Sequence, residues 1–362
     1  MSIVIFILVI VVLIVVHEFG HFVAAKLSGM RVDEFGLGYP PRALTIAKVG
    51  ETEYTLNWLP FGGFVKIYGE DGGGDDVRAF SARPRILQAV VLVAGVAMNL
   101  LLAYVLITGA LVAGTPRALE DNELAVARNQ ELAVANVLPG SPASVAKILP
   151  GDSIMSAADS KGEWKAVDPK SFSAFIAASK GEEVKLVVKH DAKEQIITAT
   201  PAAGVATSDP SRYALGVEVA TIGVVPLSLG AAIVEGAQLT WGVLTMTAAG
   251  LWHFFYSIFT FSADLSQVAG PIGIAGAVGS ASAQGIGNLL TVMAIISINL
   301  ALINLIPVPA LDGGRLLFVI IESVIRRPIK AGIARGINAV GFVALILLML
   351  IVSAHDIFKI LG

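Results

Sequence analysis

The sequence predicts a polytopic α-helical membrane protein of about four transmembrane helices, with a membrane-associated β element after the first and an inserted α+β module after the second. Three observations carry this. Of 362 residues, 55% are hydrophobic and 15% charged, with a mean hydropathy of +0.78, more apolar than ordinary soluble usage. Apolar runs at about Ile3 to Leu27, Ile86 to Val112, Gly287 to Pro307 and Ile337 to Phe358 are each near the roughly 20 residues that span a hydrocarbon core. Between them lie stretches with strand and turn chemistry. The expected divisions are 1–31 (first span), 32–85 (β element and loop, cytoplasmic side), 86–113 (second span), 114–225 (extracytoplasmic region, module at about 132–202), 226–262 (interfacial amphipathic helix), 263–314 (loop and third span), 315–335 (cytoplasmic loop) and 336–362 (fourth span).

The first run lacks the charged n-region and small-residue cleavage site of a secretory signal, so it is expected to be retained. The absence of an Arg/Ser-rich transit segment favours a bacterial plasma membrane. Val32 to Ile46 and Thr52 to Tyr68 are rich in β-branched and aromatic residues, broken by Pro40-Pro41 and by the Pro60, Gly62, Gly63 turn. Gly69 to Asp76 is expected to be a flexible acidic linker. From about Leu132 to Pro201 short apolar runs alternate with Gly, Pro and Ser turns, as in a small α+β module.

Charge and cysteine content exclude other classes. The net charge of −3 and the lack of any Lys/Arg-rich run argue against a nucleic-acid partner. With no cysteine, disulfides, thiol catalysis and thiolate metal sites are excluded, so any metal must use histidine and carboxylate ligands. The histidines are at 17, 21, 190, 253 and 355.

His17-Glu18-Phe-Gly-His21 places two imidazoles one helical turn apart on one face, where both can grip a single ion. Zinc lowers the pKa of a coordinated water to about 7, and Glu18, offset by one residue, can take its proton as a peptide carbonyl is attacked. Polar residues retained in an apolar span cost about 2 to 3 kcal/mol or more apiece if charged and unpaired, which marks them as functional.

A catalytic zinc site commonly has three protein ligands and an open fourth position. Asp312 is the leading third ligand, at the end of the segment running from Asn299 through Asn304, Pro307 and Pro309 to Gly314. A polar exit turn is its bland alternative; His253 and His355 are weaker ligand candidates. Pro307 and Pro309 break the helix and leave carbonyls free, which a membrane protein tolerates beside protein or a water-lined cavity. Asn299 and Asn304, in an apolar run, need partners, and an unwound substrate backbone or a tetrahedral intermediate would supply them.

Asp312 meets the histidines only if an even number of crossings, those of the second and third spans, separates it from the inner end of the first. Pro226 to Phe261 is therefore expected to lie at the interface and not to cross, in keeping with its Trp241, Trp252, Phe254, Phe255 and Tyr256. Five basic residues between Arg315 and Arg335, against Glu322 alone, place Asp312 towards the cytoplasm.

At these residues the chain resembles the site-2 protease family of intramembrane zinc metalloproteases, peptidase family M50, in its bacterial RseP/RasP-like branch. HEFGH at His17 to His21, LPFGGFVKIYGE at Leu59 to Glu70, AGVAMN at Ala94 to Asn99, GPIGIA at Gly270 to Ala275 and Asn299 to Gly314 carry the resemblance. It implies zinc held by His17, His21 and Asp312, Glu18 as catalytic acid/base, Asn299 and Asn304 as substrate-handling residues, and a β element that pairs with unwound substrate. Val134 to Ala143 and Leu149 to Ile154 look like parts of one PDZ domain, where well-studied enterobacterial members have two, and Val96 stands where the family often has proline.

The resemblance further implies regulated intramembrane proteolysis in the inner membrane. Its substrates would be single-span proteins, such as anti-sigma factors already cut once, and remnant signal peptides; the PDZ domain would take peptide or protein ligands. A catalytically idle scaffold, and an ion transporter using the same intramembrane His and Asp, are the competing expectations.

Overall fold

Fourteen apolar residues from Ile3 to Val16, unbroken by Gly, Pro or charge, give the first helix, α1 (Ser2–Leu27), its length and its all-round apolar surface. The computed structural model describes residues 2–70, 76–190, 193–205, 211–225, 227–260 and 270–361. Most of the expected linker Gly69 to Asp76, together with Pro226 and residues 261–269, lies outside them. The chain forms two units, one of residues 1–113 and 228–362, the other Gly114–Leu227.

In the first unit α1 is followed by strands β1 (Val32–Val49) and β2 (Thr52–Ile67) and by helix α2 (Arg85–Ala113). The two strands double back on each other. Residues Glu34 to Leu37 of β1 lie opposite Glu53 to Leu56 on one side and opposite Lys66 to Gly63 on the other. β2 runs unbroken through the expected Pro60, Gly62, Gly63 turn, with Gly62 at φ 97° between its two paired segments, and its last segment lies beside α1.

Helices α5 (Leu229–Phe259), α6 (Pro271–Gln284), α7 (Ile286–Leu305), α8 (Asp312–Ile325) and α9 (Ala331–Leu361) complete the unit. Among the described residues four helices are long and apolar enough to cross a membrane: Ile3–Leu27, Arg85–Ala113, Ile286–Leu305 and Gly332–Phe358. These coincide with the four runs read from sequence. The long helix α5 is not one of them. Tyr104 of α2 donates to the Ile233 carbonyl at 3.2 Å, and a Cβ on Gly236 would lie 2.4 Å from Thr108 Oγ1, so the start of α5 packs on the C-terminal half of α2. Its Trp241, Trp252 and Tyr256 are exposed.

Two expected loops are helical. The GPIGIA stretch begins α6, with Pro271 in its first turn, and Asp356 of α9 accepts from the backbone N–H of Gly270 (3.2 Å) and Gly273 (2.9 Å), satisfying donors that a helix start leaves open. Residues 315–335 contain most of α8, because Leu316 and Val319 pack against Phe80, Val91 and Leu92. The basic residues that marked this segment as a loop cluster after the helix, at Arg326, Arg327 and Lys330.

The second unit is a sheet in the order β3-β9-β4-β5-β7-β8, with β6 on β5. Its strands are β3 (Pro116–Ala118), β4 (Arg128–Val137), β5 (Ser153–Ala158), β6 (Glu163–Trp164), β7 (Val184–His190), β8 (Lys193–Ala199) and β9 (Val217–Val224), and its helices α3 (Pro142–Val145) and α4 (Pro169–Ala178). Asp168 caps α4 by accepting from Ser171 N (2.8 Å) and Lys170 N (3.2 Å), and these bonds hold its carboxyl below the ordinary range. The expected limits of 132–202 leave out β9, which pairs along β4 from Arg128 to Val137. A long intervening segment separates β9 from the other strands in sequence, which hid its membership.

Leu132, Val134, Ile154, Phe172, Ile176, Leu186 and Val188 close the core of this unit. Leu186→Ala, at a fully buried position, is expected to destabilise the unit by about 2 to 5 kcal/mol, read as faster limited proteolysis within 114–227 of the full-length protein.

Candidate active site

The site begins where α1 turns one polar edge inwards. His17 and His21 are 6% and 7% exposed, and their rings meet edge to face. Asp312 reaches them from the first turn of α8. Its Oδ2 lies 3.0 Å from His17 Nε2 and 3.2 Å from His21 Nε2, and the two Nε2 atoms are 3.2 Å apart. Residues separated by nearly three hundred positions thus form one small triangle of donor atoms.

Local sequence explains how Asp312 arrives. Pro307 and Pro309 keep α7 from continuing, and Ala310 adopts φ 74°, turning the chain into α8. A Cβ on Gly313 would lie 2.3 Å from the Ile306 carbonyl, and one on Gly314 2.3 Å from that of Val308, so both glycines are needed for α8 to start against its own incoming loop. Pro309 in turn packs on Gly341 of α9, where a Cβ would come within 2.5 Å.

The tautomers decide what the triangle can hold. His21 Nδ1 is 2.8 Å from the Val91 carbonyl, which can only accept, so Nδ1 carries a proton, and in the neutral, metal-binding form of the ring Nε2 presents a lone pair. That lone pair points at a second imidazole nitrogen and at a carboxylate oxygen. With both rings in that form three lone pairs converge, and a cation between them is what satisfies all three. Zinc bonds of about 2.0 to 2.2 Å in tetrahedral geometry place neighbouring donor atoms roughly 3.3 to 3.6 Å apart, a little wider than the 3.0 to 3.2 Å found here. The donor set of two imidazoles and one carboxylate suits zinc and leaves a fourth position open.

Glu18 lies beside this triangle. Its Oε2 accepts from Val65 N of β2 at 3.1 Å, and Glu18, His21 and Asp312 share a cavity of about 400 Å³ with Gly63 to Ile67 of β2. Glu70 and Arg315, which pair with each other, also line it. The Glu18 carboxylate, two members of the donor triangle and a strand segment therefore face one space, an arrangement suited to polarising an amide held in extended form.

Of the other residues read from sequence, Asn304 is at the site, with Nδ2 3.4 Å from His17 Nε2. Asn299 instead donates to the Ile295 carbonyl one turn back along α7, at 2.9 Å. Pro307 and Pro309 act through the backbone path just described. Sequence reasoning gave no role to α2, whose Val91, Gly95 and Asn99 all contact the histidines. The signal was present in a glycine and an asparagine four residues apart within an apolar span.

This fold and site define a peptidase embedded in the membrane, with a centre built of histidine and carboxylate. The model of peptidase family M50 matches residues 5–348, and the chain belongs to that family, whose members are zinc metalloproteases. A protein of Clostridium perfringens with the provisional name zinc metalloprotease CPE1693 is 35% identical over 346 residues, 95% of either chain. The zinc metalloprotease RasP of Oceanobacillus iheyensis is 27% identical, covering 98% of each chain. A solved PDZ domain of Listeria monocytogenes matches at 20% identity over 25% of this chain and 86% of its own, with a TM-score of 0.21, too slight a likeness to carry an argument.

Proposed function

We propose that the protein is an intramembrane zinc endopeptidase that cuts single-span membrane proteins, with zinc held by His17, His21 and Asp312 and with Glu18 as the acid/base. The observation that carries this is the triangle of Nε2, Nε2 and Oδ2 atoms, two of whose residues, His21 and Asp312, line one cavity with Glu18. Bound zinc supplies the Lewis acidity that makes water a nucleophile near neutral pH. Glu18 takes the proton released in the attack and returns it to the leaving amine. The segment of β2 from Gly63 to Ile67, which lines the cavity, aligns an unwound segment by strand addition, since a helical segment shields its amide with its own hydrogen bonds. Asn304, beside His17, steadies the substrate carbonyl; Asn299, Pro307 and Pro309 contribute through the shape of the segment between α7 and α8.

Three crossings from α1 through α2 to α7 bring Asp312 to the end of the membrane where His17 and His21 lie, provided α5 stays at the interface. The basic residues after α8 support a cytoplasmic side for that end and an extracytoplasmic side of the inner membrane for residues 114–225. Within the second unit a cavity of about 450 Å³ is lined by Phe172, Ser173 and Ile176 of α4 and by Leu215 to Val219. A groove between a helix and a strand suits an extended peptide, in keeping with a PDZ-type module that takes substrate or regulator tails.

The test is cleavage of a panel of single-span peptides by the full-length protein reconstituted in vesicles, with zinc content measured alongside. Wild type should cleave, and Asp312→Ala should lose zinc and cleavage together. Cleavage that persists in the Asp312→Ala protein would overturn the assignment.

A further inference from the structure

The geometry points to Asn99 as the positioning residue for His17, with its side-chain oxygen accepting from His17 Nδ1–H so that Nε2 is left bare for the metal. This rests on the zinc reading above. It concerns α2, which supplies no atom to the triangle itself.

Both imidazoles face the same requirement. Each must present a lone pair at Nε2, so each must keep its proton on Nδ1 and needs an acceptor there. For His21 the acceptor is the Val91 carbonyl at 2.8 Å. For His17 the group at Nδ1 is the Asn99 amide, 3.2 Å away. Asn99 is fully buried, so its choice of partner is costly to get wrong.

Which end of the amide faces the ring decides the tautomer. With Nδ2 towards the ring, the amide donates to Nδ1, the proton is driven to Nε2, and the ring cannot bind a cation there. In that orientation Asn99 Oδ1 is also buried without a hydrogen-bond partner among the described protein atoms. Turning the amide over, a change that does not alter its shape, brings Oδ1 to the Nδ1–H and gives the oxygen its donor. The triangle thus selects the turned-over orientation, in which Nδ2 takes the position that Oδ1 held.

The rest of α2 fits this role. Val91, Gly95 and Asn99 are spaced by four residues and lie along one face. Between the two acceptors a Cβ on Gly95 would lie 2.4 Å from His21 Nε2 and 2.9 Å from His17 Cε1, so that face is cut to the shape of the ring pair. Asn99 is held from behind by α7, where Ser297 Oγ donates to the Asn99 carbonyl at 2.8 Å. That contact uses the backbone and survives any change of the side chain.

The experiment measures zinc affinity of the full-length protein in detergent by competition against a chelator, for wild type, Asn99→Asp, Asn99→Leu, Asn99→Ala and Asp312→Ala. Aspartate offers only acceptor oxygens and should hold zinc as tightly as wild type or more so. Leucine, similar in size, should weaken it about 10- to 100-fold, the usual effect of losing a partner of a metal-bound histidine. Alanine should do the same, and keeps the test open if the leucine protein does not fold. Unchanged affinity in the leucine or alanine protein, or an aspartate protein as weak as these, would overturn the inference. If Asp312→Ala itself keeps full zinc, the reading of the metal site fails, and that outcome is distinct from a failure confined to Asn99.

Discussion

Glu18→Gln is expected to abolish measurable cleavage while leaving zinc bound. The carboxylate lies on the cavity shared with His21 and Asp312 but contributes no atom to the donor triangle, so the metal has no need of it. Glutamine keeps an oxygen able to accept from Val65 N, the bond that joins α1 to β2 at 3.1 Å, and the strand should stay in place. Only proton transfer is removed, a contribution typically worth about 10²- to 10⁴-fold in rate. The measurement is single-turnover cleavage of a reconstituted peptide with zinc content beside it. The same variant separates the rival classes, since an ion pathway through these residues would conduct without a proton acceptor whereas a peptidase would stop.

Gly95→Ala should have the next largest effect, through shape alone. A methyl group at this position would sit 2.4 and 2.7 Å from His21 Nε2 and Cε1, well inside van der Waals contact, and 2.9 Å from His17 Cε1. The histidines cannot retreat easily, because His21 is tied to Val91 and both rings are buried. Forcing an extra carbon into packed surroundings costs about 1 to 3 kcal/mol, which corresponds to about 5- to 150-fold in zinc affinity if the site bears it. Alanine favours the helix, so α2 itself should form as before. A variant with wild-type zinc affinity would show that the rings have room the structure denies them.

The four apolar runs were legible because span length is a one-dimensional property, and each helix was located to within a few residues. His17, Glu18 and His21 were legible for a similar reason, since one helical turn fixes their relation. Asp312 needed a further argument from the number of crossings, and the structure brings it to the histidines. What sequence reasoning missed depends on tertiary contact. Asn299 and Asn304 look equivalent in an apolar run, yet only Asn304 faces His17, because five residues along a helix is more than one turn. The helix α8 was hidden by the charges that follow it, and β9 by its distance along the chain from β4. Val91 could not be found at all, since it acts through a backbone carbonyl that any residue would provide.

The pairing of β3 with β9 sets Pro116 opposite Val224 in the sheet of the second unit. The polypeptide therefore enters and leaves that unit through neighbouring points, about 5 Å apart as in any antiparallel ladder. An insertion with its two ends so close behaves as a cassette: it can be lengthened, doubled or excised while the helices on either side are asked only to bridge the same short gap.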